Sequence, residues 1–141
     1  MPANPGYTGS SAYLTFGGVN FSPYLRATDS GEDATLHDAS AGNIVARDYL
    51  PDRADGDLAM EYVEPAGATG ITLWAAIPPA GYGTSPGTLE WGEQGTAAGK
   101  PKHTVGAYVL HRSRHVPYDD VAVVTVTFQF TGGRVTDGTW T

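Results

Sequence analysis

Any chemistry in this 141-residue chain would have to come from four histidines, fifteen carboxylates and one glycine-lysine loop, because it contains no cysteine. The loop is Gly95-Thr96-Ala97-Ala98-Gly99-Lys100-Pro101. A phosphate-binding loop needs Gly, four residues, Gly-Lys, then a hydroxyl residue. Here three residues separate Gly95 from Gly99, and Pro101 stands where a Ser or Thr would hold magnesium. The stretch reads as a surface hairpin loop. His111 and His115 have a metal-ligand spacing only on a helix. On a strand they stand roughly 13 Å apart, at about 3.3 Å per residue, and cannot share an ion. His37 and His103 sit alone in polar loops. Asp119-Asp120 offers only part of the oxygen set that calcium wants, so beside Pro117 it reads as a turn. Glu61, Glu64, Glu90 and Glu93 could do acid-base work, but nothing in their spacing converges them on a cleft. No Gly-x-Ser-x-Gly elbow supports a nucleophilic serine. Trp74, Trp91 and Trp140 read as core or interface aromatics. The sequence therefore predicts no enzyme, no cofactor and no metal centre.

Composition narrows the classes further. Eight Lys plus Arg stand against fifteen Asp plus Glu, a net charge of -7, so no basic patch is available to neutralise phosphates along a nucleic acid. No apolar run approaches the roughly 18 residues a membrane helix needs. The start, MPANPGYTGSS, has neither the basic beginning nor the apolar centre of a secretory signal. Nineteen glycines and ten prolines beside eight tyrosines predict strands joined by turns in one acidic, all-β domain.

The elements that would position any site follow from periodicity. In HVPYDDVAVVTVTFQFT (115–131), Ala122, Val124, Val126, Phe128 and Phe130 share one parity. Val121, Val123, Thr125, Thr127, Gln129 and Thr131 share the other. This alternation predicts a strand with an apolar face and a threonine-rich wettable face, closed by Gly132-Gly133. At about eleven residues it is long against the usual five or six, which implies a large sheet. Tyr13–Phe16 predicts a strand, Gly17-Gly18 a turn, and Val19–Ser22 a second strand. Residues 1–10 read as a flexible arm. Residues 27–57 read as one long loop with few apolar anchors, and such loops tend to carry function. Leu58, Met60 and Tyr62 alternate into another half-buried strand. Ile71, Trp74 and Ile77 recur every third residue, predicting a short helix capped by Thr69 and stopped by Pro78-Pro79, with a strand over Ile71–Ala76 as the competing reading. Thr88–Trp91 and Thr104–Arg112 predict further strands, the latter pairing with 121–131 across the corner at His115–Tyr118. RVTDGTWT (134–141) reads as a short final strand or an arm.

Three stretches carry a family resemblance: YLTFGGVNFSPYL (13–25), the acidic ATDSGEDATLHDASAGN with RDYLPDRADGDLAMEYVE after it, and residues 89–140 with GTAAGKPKHT, VPYDDV and TDGTW. Together they make the chain, from 13 to 140, resemble the tail tube (major tail) proteins of long-tailed bacteriophages and related phage-like particles. The resemblance implies a β-sandwich or half-barrel with one flanking helix, built into hexameric rings that stack around a lumen traversed by DNA. It implies a virion tail protein made in the host cytoplasm, partnered by itself and by other tail proteins at the tube ends. DNA would pass without specific binding.

Physical arguments point the same way. A long uncovered strand edge is a liability in a monomer, and pairing it with a neighbour's edge removes the liability. Six head-to-tail contacts close a ring, and rings can stack. Six copies of a chain at -7 carry about -42, and an acidic wall lets DNA slide where a basic wall would hold it. We expect 104–115 and 119–131 to form the inner strand pair, with Thr125, Thr127 and Gln129 facing the lumen. Arg47, Asp48, Tyr49, Leu50, Asp52, Arg53, Asp55 and Asp57 are expected in a loop that meets the adjacent ring, as are the two terminal arms. The alternatives are another virion component such as a capsid decoration protein, a carbohydrate-binding β-sandwich, or a small hydrolase.

Overall fold

The computed structural model describes residues 6–38, 49–80 and 86–141. Seven strands and one helix follow in chain order: β1 Tyr13–Phe16, β2 Val19–Asn20, β3 Leu25–Asp38, β4 Tyr49–Val63, α1 Ala68–Ala75, β5 Gly87–Gly92, β6 Pro101–His115 and β7 Val123–Thr139. The strands make a single antiparallel sheet in the order β2-β1-β5-β6-β7-β4-β3.

The sheet is rolled. Phe16 on β1 and Phe128 on β7 are three strand spacings apart in that order, about 14 Å on a flat sheet. Their rings meet with centroids 4.8 Å apart. Phe21, just past β2, and Tyr62 on β4 meet at 5.3 Å although five spacings, about 24 Å, divide their strands. The inside of the roll is the core: Leu14, Phe21, Leu58, Met60, Tyr62, Leu89, Ala107, Val124, Val126 and Phe128 are all but inaccessible to solvent. The predicted apolar parity of β7 is the one that packs there, with Ala122 and Phe130 half-buried at its ends.

Several expectations need correction. Residues 27–57 do not form one loop: β3 and β4 pair from Leu25↔Tyr62 to Asp38↔Tyr49 as a long hairpin ribbon. Over Glu32–Asp38 and Tyr49–Gly56 the two strands pair, among the described residues, only with each other, and this backbone pairing is independent of side-chain pattern. Gly132-Gly133 does not end β7, which continues to Thr139 and takes the supposed tail with it. A register shift absorbs the interruption, since Gly106 faces Thr131 while Thr104 faces Thr136. Val19–Ser22 is a strand only at Val19–Asn20, and a 3₁₀ turn over Ser22–Tyr24 takes the rest.

The helix is present, but its face and cap differ from the reading. Gly67, at φ 75°, is the N-cap with no side-chain bond, and Thr69 lies inside the first turn. Gly70, Leu73 and Ile77 turn inward, whereas Ile71 is 72% exposed. A Cβ on Gly70 would sit 2.1 Å from the Pro65 carbonyl oxygen, so this glycine lets the helix lie directly on the chain that leads into it.

Candidate functional site

The candidate surfaces are the sheet's outer face and its edges. The registers fix that face. Rows running across β4, β7 and β6 read Val63-Val123-His115, Glu61-Thr125-Ser113, Ala59-Thr127-His111 and Asp57-Gln129-Tyr108. On β3 the rows continue as Ala27 beside Glu61, Asp29 beside Ala59 and Gly31 beside Asp57. The resulting band carries Asp29, Asp57 and Glu61 and no lysine or arginine, so it is polar and acidic.

A β-bulge decides this. Inward residues Val105, Ala107 and Val109 set the parity of β6, and unbroken alternation would turn Arg112 and Arg114 outward. The register shifts by one residue between Val109 and His111, leaving Leu110 unmatched and 60% exposed. Beyond the bulge, Arg112 and Arg114 lie opposite the buried Val126 and Val124, on the inner side. There both guanidinium groups stack on Trp74, at 3.9 and 4.1 Å from the ring centroid. Arg112 Nη1 donates to the Trp74 carbonyl at 2.6 Å, and Arg114 Nη2 donates to Glu64 Oε1 at 2.7 Å. The Ala80 N–H reaches the Val109 carbonyl at 2.8 Å, tying the chain after α1 to the bulge. The arginines thus fasten the helix instead of charging the outer band.

Thr125, Thr127 and Gln129 all lie on the outer band, Thr125 exposed and the other two half-buried. Gln129 Nε2 donates to the Gly56 carbonyl at 3.0 Å, across the β4–β7 seam. Of the expected ring-contact loop, Arg47 and Asp48 lie outside the described residues. Tyr49, Leu50, Asp52, Arg53, Asp55 and Asp57 lie on β4, so they belong to a strand and not a loop. From Asp57 onward β4 pairs with both β3 and β7, but from Tyr49 to Gly56 it pairs with β3 alone. That part is a two-stranded arm reaching past the sheet.

Edges complete the surface. Among the described residues, no strand pairs with the outer side of β3 over its 14 residues, and β2 at the opposite border is two residues long.

Sequence reasoning missed one cluster. His103, expected alone in a loop, lies on β6 between Glu93 Oε2, 2.9 Å from Nε2, and Asp137 Oδ1, 2.6 Å from Nδ1. Trp91 lies against its ring at 5.1 Å and donates to the other Glu93 oxygen at 3.0 Å. Burial pulls the His103 pKa down, but the hydrogen bond to Asp137 and the charge and hydrogen bond of Glu93 outweigh it, so the pKa is raised. The carboxylates come from positions 10 and 34 residues away, and no local spacing announces them. Nearby, Gly95 and Gly99 adopt φ 93° and 85° as turn glycines, and Gly99 N–H bonds the Trp140 carbonyl at 2.9 Å. The glycine-lysine stretch is a hairpin loop pinned by the C-terminal segment.

No family model matches this chain, and no curated protein matches it in sequence. Solved structures do match in shape. One is a chain from the tail of an empty gene transfer agent particle with C6 symmetry, at TM-score 0.69 and 10% identity, covering 93% of this chain and 98% of that one. Another is the tail tube of SPP1, at TM-score 0.69 and 11% identity, covering 94% and 78%. This is the tail tube fold. A third likeness, at TM-score 0.65 and 13% identity over 99% and 95%, is to the cap that terminates the anti-feeding prophage tube. At such identities the likeness is one of fold, and the fold is the one the sequence resemblance implied.

Proposed function

We propose that the chain is a structural subunit of a phage or phage-like tail tube, assembling as stacked hexameric rings whose lumen conducts DNA. The observation that carries the reading is the border of β3, which no strand among the described residues pairs with, on a rolled sheet of tail tube fold. A 14-residue strand with no described partner on its outer side calls for one, and a neighbour's β1–β2 border supplies it in a head-to-tail contact that can close a ring. The acidic outer band of β4, β7 and β6 then faces the lumen, with Thr125, Thr127 and Gln129 in its central rows. Hydroxyl and amide groups wet the wall, and Asp29, Asp57 and Glu61 repel phosphate, so DNA slides without being held. The β3–β4 arm, with Asp52, Arg53, Asp55 and Asp57, reaches the adjacent ring. The protein acts as a passive wall and not as a catalyst, in the virion tail, with other tail proteins at the tube ends.

A tube-ending cap is the second reading, favoured by the fold shared with the anti-feeding prophage cap. Negative-stain electron microscopy of the purified protein separates the two. Long tubes with a central channel support the tube subunit, and isolated single rings support the cap. A monomer that forms neither, with sedimentation unchanged by concentration, overturns both.

A further inference from the structure

The Glu93–His103–Asp137 cluster has no part in the wall just described, and its geometry constrains its charge. Both ring nitrogens of His103 lie within hydrogen-bond distance of carboxylate oxygens, 2.6 Å to Asp137 and 2.9 Å to Glu93. A neutral imidazole has one N–H and one lone pair, so one of those contacts would set a lone pair against an anion. Only the imidazolium donates from both nitrogens. We infer that His103 is a pH-sensitive clip, which as imidazolium ties the end of β7 to the turn after β5 and when neutral lets that end open.

Three separate segments meet at this point. Glu93 follows β5, His103 is in the first part of β6, and Asp137 is near the end of β7, which pairs there with Pro101–Thr104 alone. The charged groups facing the ring are these two carboxylates. Lys102, the next residue along β6, turns to the other side and pairs with Glu90 on β5 at 3.7 Å. Trp91 covers one face of the imidazole and carries no charge. Losing the proton leaves two carboxylates around a ring able to satisfy one of them; Arg26 lines the same pocket as Glu93, but among the described residues the ion pairs of Glu93 and Asp137 are those with His103. The His103 pKa is raised, since the hydrogen bond to Asp137 and the charge of Glu93 overcome the effect of burial, and this places the change above the ordinary histidine range. The β6–β7 ladder from Gly106↔Thr131 to His115↔Val123 and the contacts of Trp140 with Tyr13 and the Pro101 carbonyl do not involve His103. The opening is therefore local to the last residues of β7.

Two measurements on the full-length protein test the clip. Hydrogen exchange over Thr136–Thr139, corrected for its intrinsic pH dependence, should rise several-fold between about pH 5.5 and 9. In parallel, the His103 Cε1–H resonance, identified by its absence in His103→Asn, should titrate with a midpoint above 6.5. His103→Asn should exchange at the high-pH rate throughout. Glu93→Gln and Asp137→Asn keep the histidine and should each lower its midpoint. Exchange that stays flat in the unmodified protein, or a midpoint at or below 6.5, overturns the inference.

Discussion

Tyr62 buries its whole side chain, and its hydroxyl has no hydrogen-bond partner among the described residues. Burial first, and then the charge of Glu64, push its pKa up to about 12 against the opposing Arg114 and Arg112, so the group stays neutral. An unsatisfied buried hydroxyl costs about 1–3 kcal/mol, so Tyr62→Phe should leave urea stability unchanged or raise it, and a clear loss would reveal a hidden partner. His103 gives a pH dependence of definite sign. Its folded pKa lies above the unfolded value of 6.5, so its contribution is complete below 6.5 and is lost as pH rises through the folded pKa. Urea midpoints should fall over that interval in the unmodified protein, and His103→Asn should flatten this part of the curve. Neither residue was legible as it stands in the fold. The alternation of Leu58, Met60 and Tyr62 announced that Tyr62 turns inward, but not that its hydroxyl finds no partner among the described residues. Lys-Pro-Lys-His looked like a loop because polarity says nothing about partners in distant segments.

The elements were more legible than the contacts between them. The alternation in β7 marked its buried face correctly, since a period of two survives any arrangement of neighbouring strands. The β3–β4 ribbon was invisible for the opposite reason: along Gly31–Asp38 its sequence shows turn residues and charges in place of an apolar alternation, yet the backbone still pairs. At α1 the threefold spacing of Ile71, Trp74 and Ile77 found the helix but misjudged its face, because the closest approach is made by a glycine, which contributes nothing to a hydrophobic pattern. Gly70→Ala should therefore lower stability by about 1–3 kcal/mol through overpacking against Pro65, read as a drop in melting temperature. Ile71→Ala, one residue along and exposed, should stay within about 0.5 kcal/mol of the unmodified protein. Equal effects at the two positions would mean that the helix does not sit on Pro65.

For the whole molecule, the proposed lumen gives the sharpest expectation. A single arginine at Thr125 or Thr127 would recur six times per ring on a wall that otherwise carries carboxylates. Assembled tubes of such variants should retain double-stranded DNA at low salt and release it as salt rises, whereas unmodified tubes should not retain it. Equal retention by both would place the band elsewhere. The bulge in β6 offers a second expectation. Leu110 is a supernumerary residue: without it Val109 would be followed by His111, and every match from His111↔Thr127 to His115↔Val123 could persist in an unbroken ladder. Deleting Leu110 should therefore preserve strand order and the stacking of both guanidinium groups on Trp74, while relaxing the local twist and leaving the Ala80 N–H in search of an acceptor. Tube diameter, measured on micrographs, is the quantity expected to change. Strand order does not depend on this residue, so if the subunit builds the proposed tube, a lineage could alter its bore by gaining or losing one amino acid without rewiring the sheet.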